Sequence, residues 1–450
     1  MLISLSITNS RSFAGLQTFS LLASNRLTSH ENHAIPIPGT DEKVLKTGVV
    51  YGANNAGKSN LFRALDYVKN MALRPREKHA GTGRQAFLFG PSKGQTSDFQ
   101  IRFVSGANVY QFSFRADETR ITEESLLRTD KGKDKVLYKR TTDDQGKVKI
   151  DGPLVGNSTK LKALATIGGP PNQTFLATIR ATLELNDYGE DAKSVFDWFE
   201  SKLLVIRPEG NFRSLGHMSD ENPEFLEFAG KFLRDASTGI DALKLNKKEI
   251  SEEELKALIP APWAERILSK RLAPGATSSF RFTDESEIRV EKTDKEHIYR
   301  ITVGAVHEHN PGERISLDIL EESDGTRRLL QLLPVLHHLM RKGGVFCIDE
   351  IDRSMHPLLV LNFIEFFLKS CDKNHPQVIV TTHESTLLDL DILRRDEIWF
   401  AEKGNDGATK LYSLDELQVR KDLEIRKHYL NGKFGAVPYV GDKSRIMADD

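Results

Sequence analysis

Residues 49–59 constrain the possible folds of this chain more than any other segment. They begin with an apolar, β-prone run that ends at Tyr51, and Gly52-Ala-Asn-Asn-Ala-Gly57-Lys58-Ser59 follows directly. Beyond Ser59, apolar residues recur at helical spacing. A strand, a glycine-rich turn and a helix in this order let backbone N–H groups and the positive end of the helix surround a phosphate. The sequence therefore predicts a phosphate-binding loop whose ligand is a nucleoside triphosphate.

The residue types in this loop predict how ATP and Mg²⁺ would be bound. We expect Lys58 to contact the β- and γ-phosphates, and Ser59 to hold Mg²⁺ through its hydroxyl group. The candidate nucleotide-binding residues of the segment are Gly52, Asn54, Asn55, Ala56, Gly57, Lys58, Ser59 and Asn60.

Composition and charge exclude several classes of protein. Of the 450 residues, 39% are hydrophobic and 28% charged, as in soluble globular chains with two or three compact units. The net charge of −1 provides no overall field for nucleic acid or membranes, although a local basic groove could still bind DNA. The sequence has no apolar run of membrane-spanning length and no secretory signal. Cys347 and Cys371 are too few for a disulfide framework, so we expect a cytoplasmic protein with no membrane partner.

Two acidic residues follow a short apolar run at 344–348. Such a run is typical of a buried parallel strand, and open α/β sheets bind ligands at the carboxyl ends of their strands. Asp349 is the natural partner for Mg²⁺ beside Ser59, either directly or through a water. Glu350, one residue nearer the expected γ-phosphate, suits a general base for an attacking water.

Two further polar positions are candidates for the same site. His383 ends the β-branched run Val378-Ile-Val-Thr-Thr-His383, where it could bond the γ-phosphate and the attacking water. Ser323 precedes a strongly apolar helix as an N-cap, and Gly325 keeps the start of that helix open to an anion. This second helix terminus need not serve the nucleotide bound by its own chain.

The rest of the chain shows a change of pattern in its middle. Strands are predicted near 3–13, 16–22, 99–104 and 109–115, the last two alternating like an antiparallel layer. Helical periodicity among many charges occupies 174–205, 222–237 and 247–272. Strands return near 279–282, 287–291 and 298–306, and an α/β pattern follows from Leu317.

The motifs, in their order along the chain, resemble those of ABC-class ATPase heads. The stretch 60–322 separates Ser59 from Ser323, whereas transporter ATPase domains keep these motifs much closer. A long central insertion resembles the RecF, SMC and OLD-type heads instead. Local strings resemble bacterial AAA-like ATPases of phage-defence operons, of the RloA and PARIS type: Asn9-Ser-Arg-Ser-Phe13, Glu322-Ser-Asp-Gly-Thr-Arg-Arg-Leu329, Asp349-Glu-Ile-Asp-Arg-Ser-Met-His-Pro357 and Tyr429-Leu-Asn-Gly-Lys-Phe-Gly-Ala-Val-Pro438.

The resemblance implies an α/β fold, an ABC-type head in which a mixed sheet with flanking helices accompanies an antiparallel β layer. We expect residues 1–170 to form its N-terminal half, 171–275 a mostly helical insertion, and 276–450 its C-terminal half. OLD nucleases continue into a metal-binding nuclease domain, and residues 384–450 are too few for that module. A nuclease or toxin activity would therefore come from a separate partner.

The resemblance also implies a head-to-head homodimer or higher oligomer. Ser323 and Gly325 of one subunit would meet ATP held by Lys58 of the other, and Asp352 would lie in the loop that communicates across the interface. Arg11 would lie near the nucleotide. These heads use a glutamine to link Mg²⁺ and the γ-phosphate to the insertion, and the sequence leaves three candidates open: Gln85, Gln100 and Gln173.

Three functional hypotheses follow. The first is a slow, dimerisation-dependent ATPase that acts as sensor and switch for an effector in an anti-phage or toxin system. The second is a RecF-type DNA-repair head that clamps duplex DNA, against which the nearly neutral charge counts. The third is a non-catalytic scaffold that binds ATP, against which the presence of both Glu350 and His383 counts.

Overall fold

The computed structural model describes residues 1–77, 79–130, 132–269, 276–281, 287–292, 296–310, 312–417 and 424–437. Residues 270–275, Phe282 and Pro438, which belong to segments named above, lie outside this set. The chain divides into two compact units. The first unit comprises Met1–Pro208, Lys342–Ile351 and Phe367–Asp450, and the second comprises Glu209–Arg341 and Asp352–Phe366.

The strands of the described residues are, in chain order, β1 (Leu2–Thr8), β2 (Gln17–Ser20), β3 (Ala34–Pro36), β4 (Lys43–Leu45), β5 (Thr47–Tyr51), β6 (Ser97–Ser105), β7 (Asn108–Ala116), β8 (Ile121–Asp130), β9 (Lys133–Thr142), β10 (Val148–Asp151), β11 (Leu203–Ile206), β12 (Ala242–Glu249), β13 (Thr277–Arg281), β14 (Glu287–Lys292), β15 (Glu296–Asn310), β16 (Glu313–Asp318), β17 (Gly344–Ile348), β18 (Pro376–Thr382), β19 (Ile398–Lys403) and β20 (Thr409–Ser413).

The α-helices of the described residues are α1 (Lys58–Leu73), α2 (Thr159–Ile167), α3 (Phe175–Thr182), α4 (Glu190–Asp197), α5 (Leu215–Glu221), α6 (Pro223–Asp235), α7 (Glu252–Leu258), α8 (Ala261–Leu268), α9 (Asp324–Lys342), α10 (Pro357–Ser370) and α11 (Ile425–Leu430). Within the described ranges, no helix combines the length and the apolar character that crossing a membrane requires.

The first unit contains a six-stranded mixed sheet in the order β11-β17-β18-β5-β19-β20. Every pair in it is parallel except β19 with β20. All residues of β5, β17 and β18 are buried, which explains their nearly continuous apolar sequences, since a central parallel strand is covered on both faces. The carboxyl ends of these three strands lead into the loop at 52–57, into Asp349 and into His383.

The same unit contains a seven-stranded antiparallel sheet in the order β10-β9-β8-β7-β6-β1-β2. Buried and more exposed residues alternate along β6, as expected of a layer with one solvated face. Helix α1 packs between the two sets of strands through a shared core: Tyr67 lies 5.0 Å from Phe99 of β6 between ring centroids, and Val68 joins the core that includes Val345 of β17. The predicted α/β class is confirmed, as are the predicted mixed sheet and antiparallel β layer.

The second unit is built on a five-stranded sheet in the order β12-β15-β14-β13, with β16 paired to β15. One of its cores joins Ile250, Leu255 of α7, Ile267 of α8 and Val290 of β14. Residues 171–275 thus contain helices, as the periodicity predicted, and also strands β11 and β12. The prediction of helix from residue 247 is wrong for 247–249, because these residues pair with β15 as the end of β12.

Candidate nucleotide-binding site

The loop after β5 has the backbone conformation that wraps around an anion. Asn55 and Gly57 adopt positive φ angles of 66° and 101°, and α1 begins at Lys58. A Cβ atom at Gly57 would overlap Thr409 Oγ1 and Ser12 Oγ, and one at Gly52 would lie 2.5 Å from the carbonyl oxygen of Ala401. Close packing therefore requires glycine at both positions, and the positive φ of Gly57 requires it there as well.

Lys58 projects into the space that the loop encloses. Its side chain is buried, and its Nζ donates to the carbonyl oxygens of Gly52 at 2.7 Å and Ala53 at 3.1 Å. The two ring nitrogens of His383 lie 3.3 and 3.2 Å from the same Nζ. The structure therefore brings together the predicted phosphate-binding lysine and the histidine that follows β18.

Ser59 and the acidic pair meet at the carboxyl ends of β17 and β18. Ser59 Oγ donates to Asp349 Oδ1 at 3.1 Å, and Thr381 Oγ1 donates to the same oxygen at 2.6 Å. The Glu350 N–H donates to Thr381 Oγ1 at 2.7 Å, while Glu350 has a positive φ of 49°. Such a backbone conformation is uncommon for a non-glycine residue and persists only where its surroundings hold it. Thr381 thus orients both acidic residues.

A cavity of about 200 Å³ joins these residues. Its lining contains Glu350, His383, Arg63 and the loop positions Asn54, Asn55, Ala56, Gly57, Lys58, Ser59 and Asn60. The hydroxyl–carboxylate pair of Ser59 and Asp349 suits Mg²⁺, and the buried cation of Lys58 suits a phosphate chain. The flanking carboxylate of Glu350 suits a water. Among the described residues, no group of three or more His, Cys, Asp and Glu side chains could hold a metal elsewhere.

Arg11 lies in the first unit, at a second cavity that adjoins the phosphate loop. It lines a cavity of about 530 Å³ together with Ser12, Asn60 and Gln85, and its N–H donates to the carbonyl oxygen of Gln85 at 2.7 Å. Burial lowers the pKa of the Arg11 guanidinium, and the charges of Arg63 and Arg207 lower it further. Because Asn60 lines both cavities, Arg11 lies beside the first turn of α1.

The three candidate glutamines have different surroundings. Gln173 is buried, its Oε1 accepts from the Arg76 N–H at 2.8 Å, and its Nε2 donates to Thr178 Oγ1 at 2.9 Å. Gln100 lies on β6 and lines a cavity on the antiparallel sheet. Gln85 alone of the three shares a cavity with Asn60. The geometry therefore separates a glutamine that holds the fold from one that adjoins the phosphate loop.

Three of the predicted residues belong to the second unit: Ser323, Gly325 and Asp352. Ser323 Oγ accepts from the Thr326 N–H at 3.2 Å, which confirms the predicted N-cap of α9. A Cβ atom at Gly325 would lie 2.7 Å from the carbonyl oxygen of Ser354, so the start of α9 packs closely against the loop that contains Asp352. The Met355 N–H donates to the carbonyl oxygen of Asp352 at 3.0 Å.

Several contacts of the site involve residues that sequence reasoning did not select. Ser12 Oγ accepts from Asn60 Nδ2 at 2.9 Å, Arg63 donates to Asn60 Oδ1 at 3.3 Å, and Thr409 Oγ1 donates to the Ala56 carbonyl at 2.8 Å. Arg63 is one helical turn beyond Ser59, a spacing that could have indicated it. Ser12 and Thr409 carry no such signal, because long-range packing brings them to the loop.

Comparisons with known proteins place the chain in a family. No curated protein matches it. Similar solved structures include the SMC head domain from Thermotoga maritima (14% identity, 92% of this chain, 98% of that chain, TM-score 0.38). Another is an Smc head domain with an extended coiled coil, bound to the C-terminal domain of ScpA derived from Pyrococcus furiosus (12% identity, 92% and 96% coverage, TM-score 0.33). At such TM-scores these likenesses add nothing to the argument from the site.

A family match covers most of the chain. Residues 49–154 and 182–389 match the family described as "AAA domain, putative AbiEii toxin, Type IV TA system". The matched ranges include the phosphate loop, Ser323, the acidic pair and His383. The chain is a P-loop protein of the ATPase type, and it belongs to this AAA-domain family.

Proposed function

We propose that the chain is a slow ATPase that hydrolyses ATP between two copies of itself and thereby switches a separate effector protein. The observation that carries the proposal is the convergence of Lys58, Ser59, Glu350 and His383 on one cavity, with Asp349 bonded to Ser59. A chain that only bound nucleotide would not need a carboxylate and a histidine beside the phosphate loop.

The residues present fit a magnesium nucleotide. The loop N–H groups and the start of α1 would hold the phosphates, and Lys58 would neutralise part of their charge. Ser59 and Asp349 would hold Mg²⁺, which supplies charge stabilisation to the phosphates when it is bound. The bonds from Lys58 Nζ to two loop carbonyls keep this cation oriented into the loop.

Glu350 and His383 provide the chemistry for activating a water. Glu350 would accept a proton from the water, and the bond of its N–H to Thr381 holds its backbone in the required position. His383 would bond the water and the terminal phosphate. Gln85, which shares a cavity with Asn60, is the glutamine we assign to link the phosphate loop with the rest of the chain.

The dimer is supported by the second helix terminus. Ser323 caps α9, and the N–H groups in the first turn of this helix would suit an anion supplied by another copy. ATP between two heads would couple nucleotide binding to association, because each copy would complete the other's site. We assign Arg11 to the nucleotide side of that site.

The effector role is supported by the family description, which names a putative toxin of a Type IV TA system. The strings shared with AAA-like ATPases of phage-defence operons point in the same direction. We infer a sensor that controls a nuclease or toxin partner in an anti-phage or toxin system.

The experiment measures Mg²⁺-ATP binding by calorimetry, phosphate release, and oligomeric state by light scattering. Lys58→Ala should abolish binding and turnover. Glu350→Gln should keep binding, lose turnover by about 10²- to 10⁴-fold and accumulate an ATP-bound dimer. Lys133→Ala, at an exposed position of β9, is the charge-matched control and should behave like the wild type.

Other outcomes would replace the proposal. Unchanged turnover in both site variants would contradict the assignment of the site. A wild type that never hydrolyses ATP, even with its natural partner, would favour a scaffold. Hydrolysis stimulated by duplex DNA, with binding that falls steeply with salt, would favour a RecF-type clamp.

A further inference from the structure

The hairpin formed by β15 and β16 presents an uncovered edge in the second unit. Residues 304–310 of β15 pair antiparallel with β16, and among the described strands β16 pairs with β15 alone. All six residues of β16 are exposed. The strand therefore offers backbone N–H and C=O groups along one side, which is the usual template for adding another strand.

Apolar side chains of β16 extend the apolar face of β15 beyond its buried part. Leu317 pairs with Ala305, and Ile315 pairs with His307. On the same face of β15, Ile301, Val303 and Ala305 are buried, whereas Ile315 is 53% exposed and Leu317 is 41% exposed. Ile315 and Leu317 thus continue a core-forming face onto a strand that nothing described covers.

Strand β12, which ends the sheet on the other side of β15, is protected in the ordinary way. Strand β12 carries Lys244, Lys247 and Lys248, and charged lysines on an edge strand discourage pairing with further strands. Strand β16, Glu-Arg-Ile-Ser-Leu-Asp, has neither lysine nor proline. The β12 edge is therefore blocked, whereas β16 is left able to pair.

We propose that β16 pairs antiparallel with β16 of a second copy, with Ser316 on the two-fold axis. In this register Arg314 lies opposite Asp318 of the second copy, and Ile315 lies opposite Leu317. Two opposite-charge pairs and two apolar pairs form on matching faces, so the strand is complementary to itself, as a two-fold contact requires. A shift by one residue would bring Arg314 opposite Leu317, and both the charge pairs and the apolar pairs would be lost.

The contacts inside the chain are compatible with this pairing. Arg314 Nε donates to Glu308 Oε2 at 2.9 Å, yet the side chain of Arg314 remains 68% exposed. Asp318 Oδ1 accepts from the Leu320 N–H at 3.0 Å. Each in-chain bond orients its side chain while leaving it at the surface.

The first test is the oligomeric state of the full chain without nucleotide, measured by light scattering in a Lys58→Ala background so that ATP-dependent association is excluded. We expect a dimer whose dissociation constant rises about tenfold or more in Arg314→Asp and in Asp318→Arg, because each substitution places like charges opposite each other. An equimolar mixture of these two variants should associate again, since one then supplies two carboxylates and the other two guanidinium groups. Lys244→Asp, on the blocked edge, should dimerise like the parent.

The second test is a crosslink at the two-fold axis. Residues directly opposite each other in antiparallel strands have Cβ atoms about 4.5–5.5 Å apart, close enough for a disulfide after small movements. Ser316→Cys should crosslink two copies under mild oxidation, and Lys248→Cys should not. The native Cys347 and Cys371 are buried, so they do not compete.

A nucleotide-free chain that is monomeric at all concentrations, or a mixture of the two charge variants that stays monomeric, would overturn the proposal. So would a Ser316→Cys chain that crosslinks only to a different protein. None of these outcomes depends on ATP, so the proposed ATPase could stand while this interface fails, and the reverse.

Discussion

Ser59 and Asp349 lie 290 positions apart in the chain, yet Ser59 Oγ donates a hydrogen bond to Asp349 Oδ1 at 3.1 Å. Thr381 Oγ1 donates to the same carboxylate oxygen at 2.6 Å. The contact follows from parallel pairing, because Ile348 of β17 is in register with Val380 of β18 and both strands end at the same edge of the sheet. Sheet topology therefore builds the part of the site to which we assign Mg²⁺ in our proposal, and each of its members can be tested separately.

Asp349→Asn should weaken the binding of Mg²⁺ at the site. The amide keeps the shape of the side chain but removes its charge, so we expect the Mg²⁺ concentration needed for ATP binding to rise about 10- to 100-fold. A magnesium titration of nucleotide binding measures this. Asp372→Asn, an exposed carboxylate paired with Lys46, is the control and should leave the titration unchanged. An unchanged titration in Asp349→Asn would remove this residue from the metal site.

Gly57→Ala should disable the phosphate loop. The added Cβ would overlap Thr409 Oγ1 and Ser12 Oγ, and the residue has a φ of 101°, so we expect a loss of about 2 kcal/mol or more in the free energy of unfolding, together with lost ATP binding. Gly39→Ala is the matched control, because Gly39 has a φ of 73° but no atom within 4 Å of the added carbon. It should cost about 1 kcal/mol and leave ATP binding intact. Equal effects of the two substitutions would show that backbone angle, and not packing around the loop, decides the outcome.

Alanine substitution of each of the three candidate glutamines should have a different effect on turnover and stability. Gln85→Ala should lower turnover by up to about 10²-fold, because Gln85 adjoins the phosphate loop. It should leave stability unchanged, because within the described residues the Gln85 side chain makes no hydrogen bond to the core. Gln173→Ala should cost about 1–3 kcal/mol of stability, because the Arg76 N–H and the buried Thr178 hydroxyl lose the bonds that they make to the Gln173 side chain. Gln100→Ala should change neither. Urea unfolding and phosphate release distinguish the variants, and a turnover defect confined to Gln100→Ala or Gln173→Ala would contradict the assignment of Gln85.

Much of the site could be predicted because it depends on local pattern. The glycine spacing in 52–57 and the buried strands before Asp349 and His383 are visible in the sequence, and parallel strands bring their ends together. Ser12, Thr381 and Thr409 could not be selected, because a single hydroxyl residue carries no periodic signal and only tertiary packing places it. The sequence leaves the three candidate glutamines open for the same reason.

The middle of the chain was harder to predict because pairing overrides local propensity there. Lys247-Lys-Glu249 is highly charged and suits an exposed helix, yet it forms the end of β12 opposite residues 299–301 of β15. Strand β16 was missed because its alternation of Ile315 and Leu317 with polar residues extends over only six positions. A short strand, or a strand whose partner lies far away in the chain, gives a weak signal in a single sequence.

Tyr67 should make the protein less stable at alkaline pH. Burial raises the pKa of Tyr67 from 10.0 to about 12, although nearby Arg76, the bond from its hydroxyl to the Thr82 carbonyl and Arg84 act in the opposite direction. Between these two values the unfolded chain loses a phenolic proton that the folded chain keeps, so the free energy of unfolding falls as pH rises from about 10 to about 12. Tyr67→Phe removes the group, and its stability should fall less steeply in this range, by at most about 1.4 kcal/mol per pH unit. Urea unfolding across this range compares the two slopes, and parallel curves would show that Tyr67 ionises equally in both states. Tyr110, whose pKa is also raised to about 12 by burial and by Asp191, should contribute to the slope that remains in Tyr67→Phe, as should the buried thiol of Cys371, whose pKa burial raises to about 12.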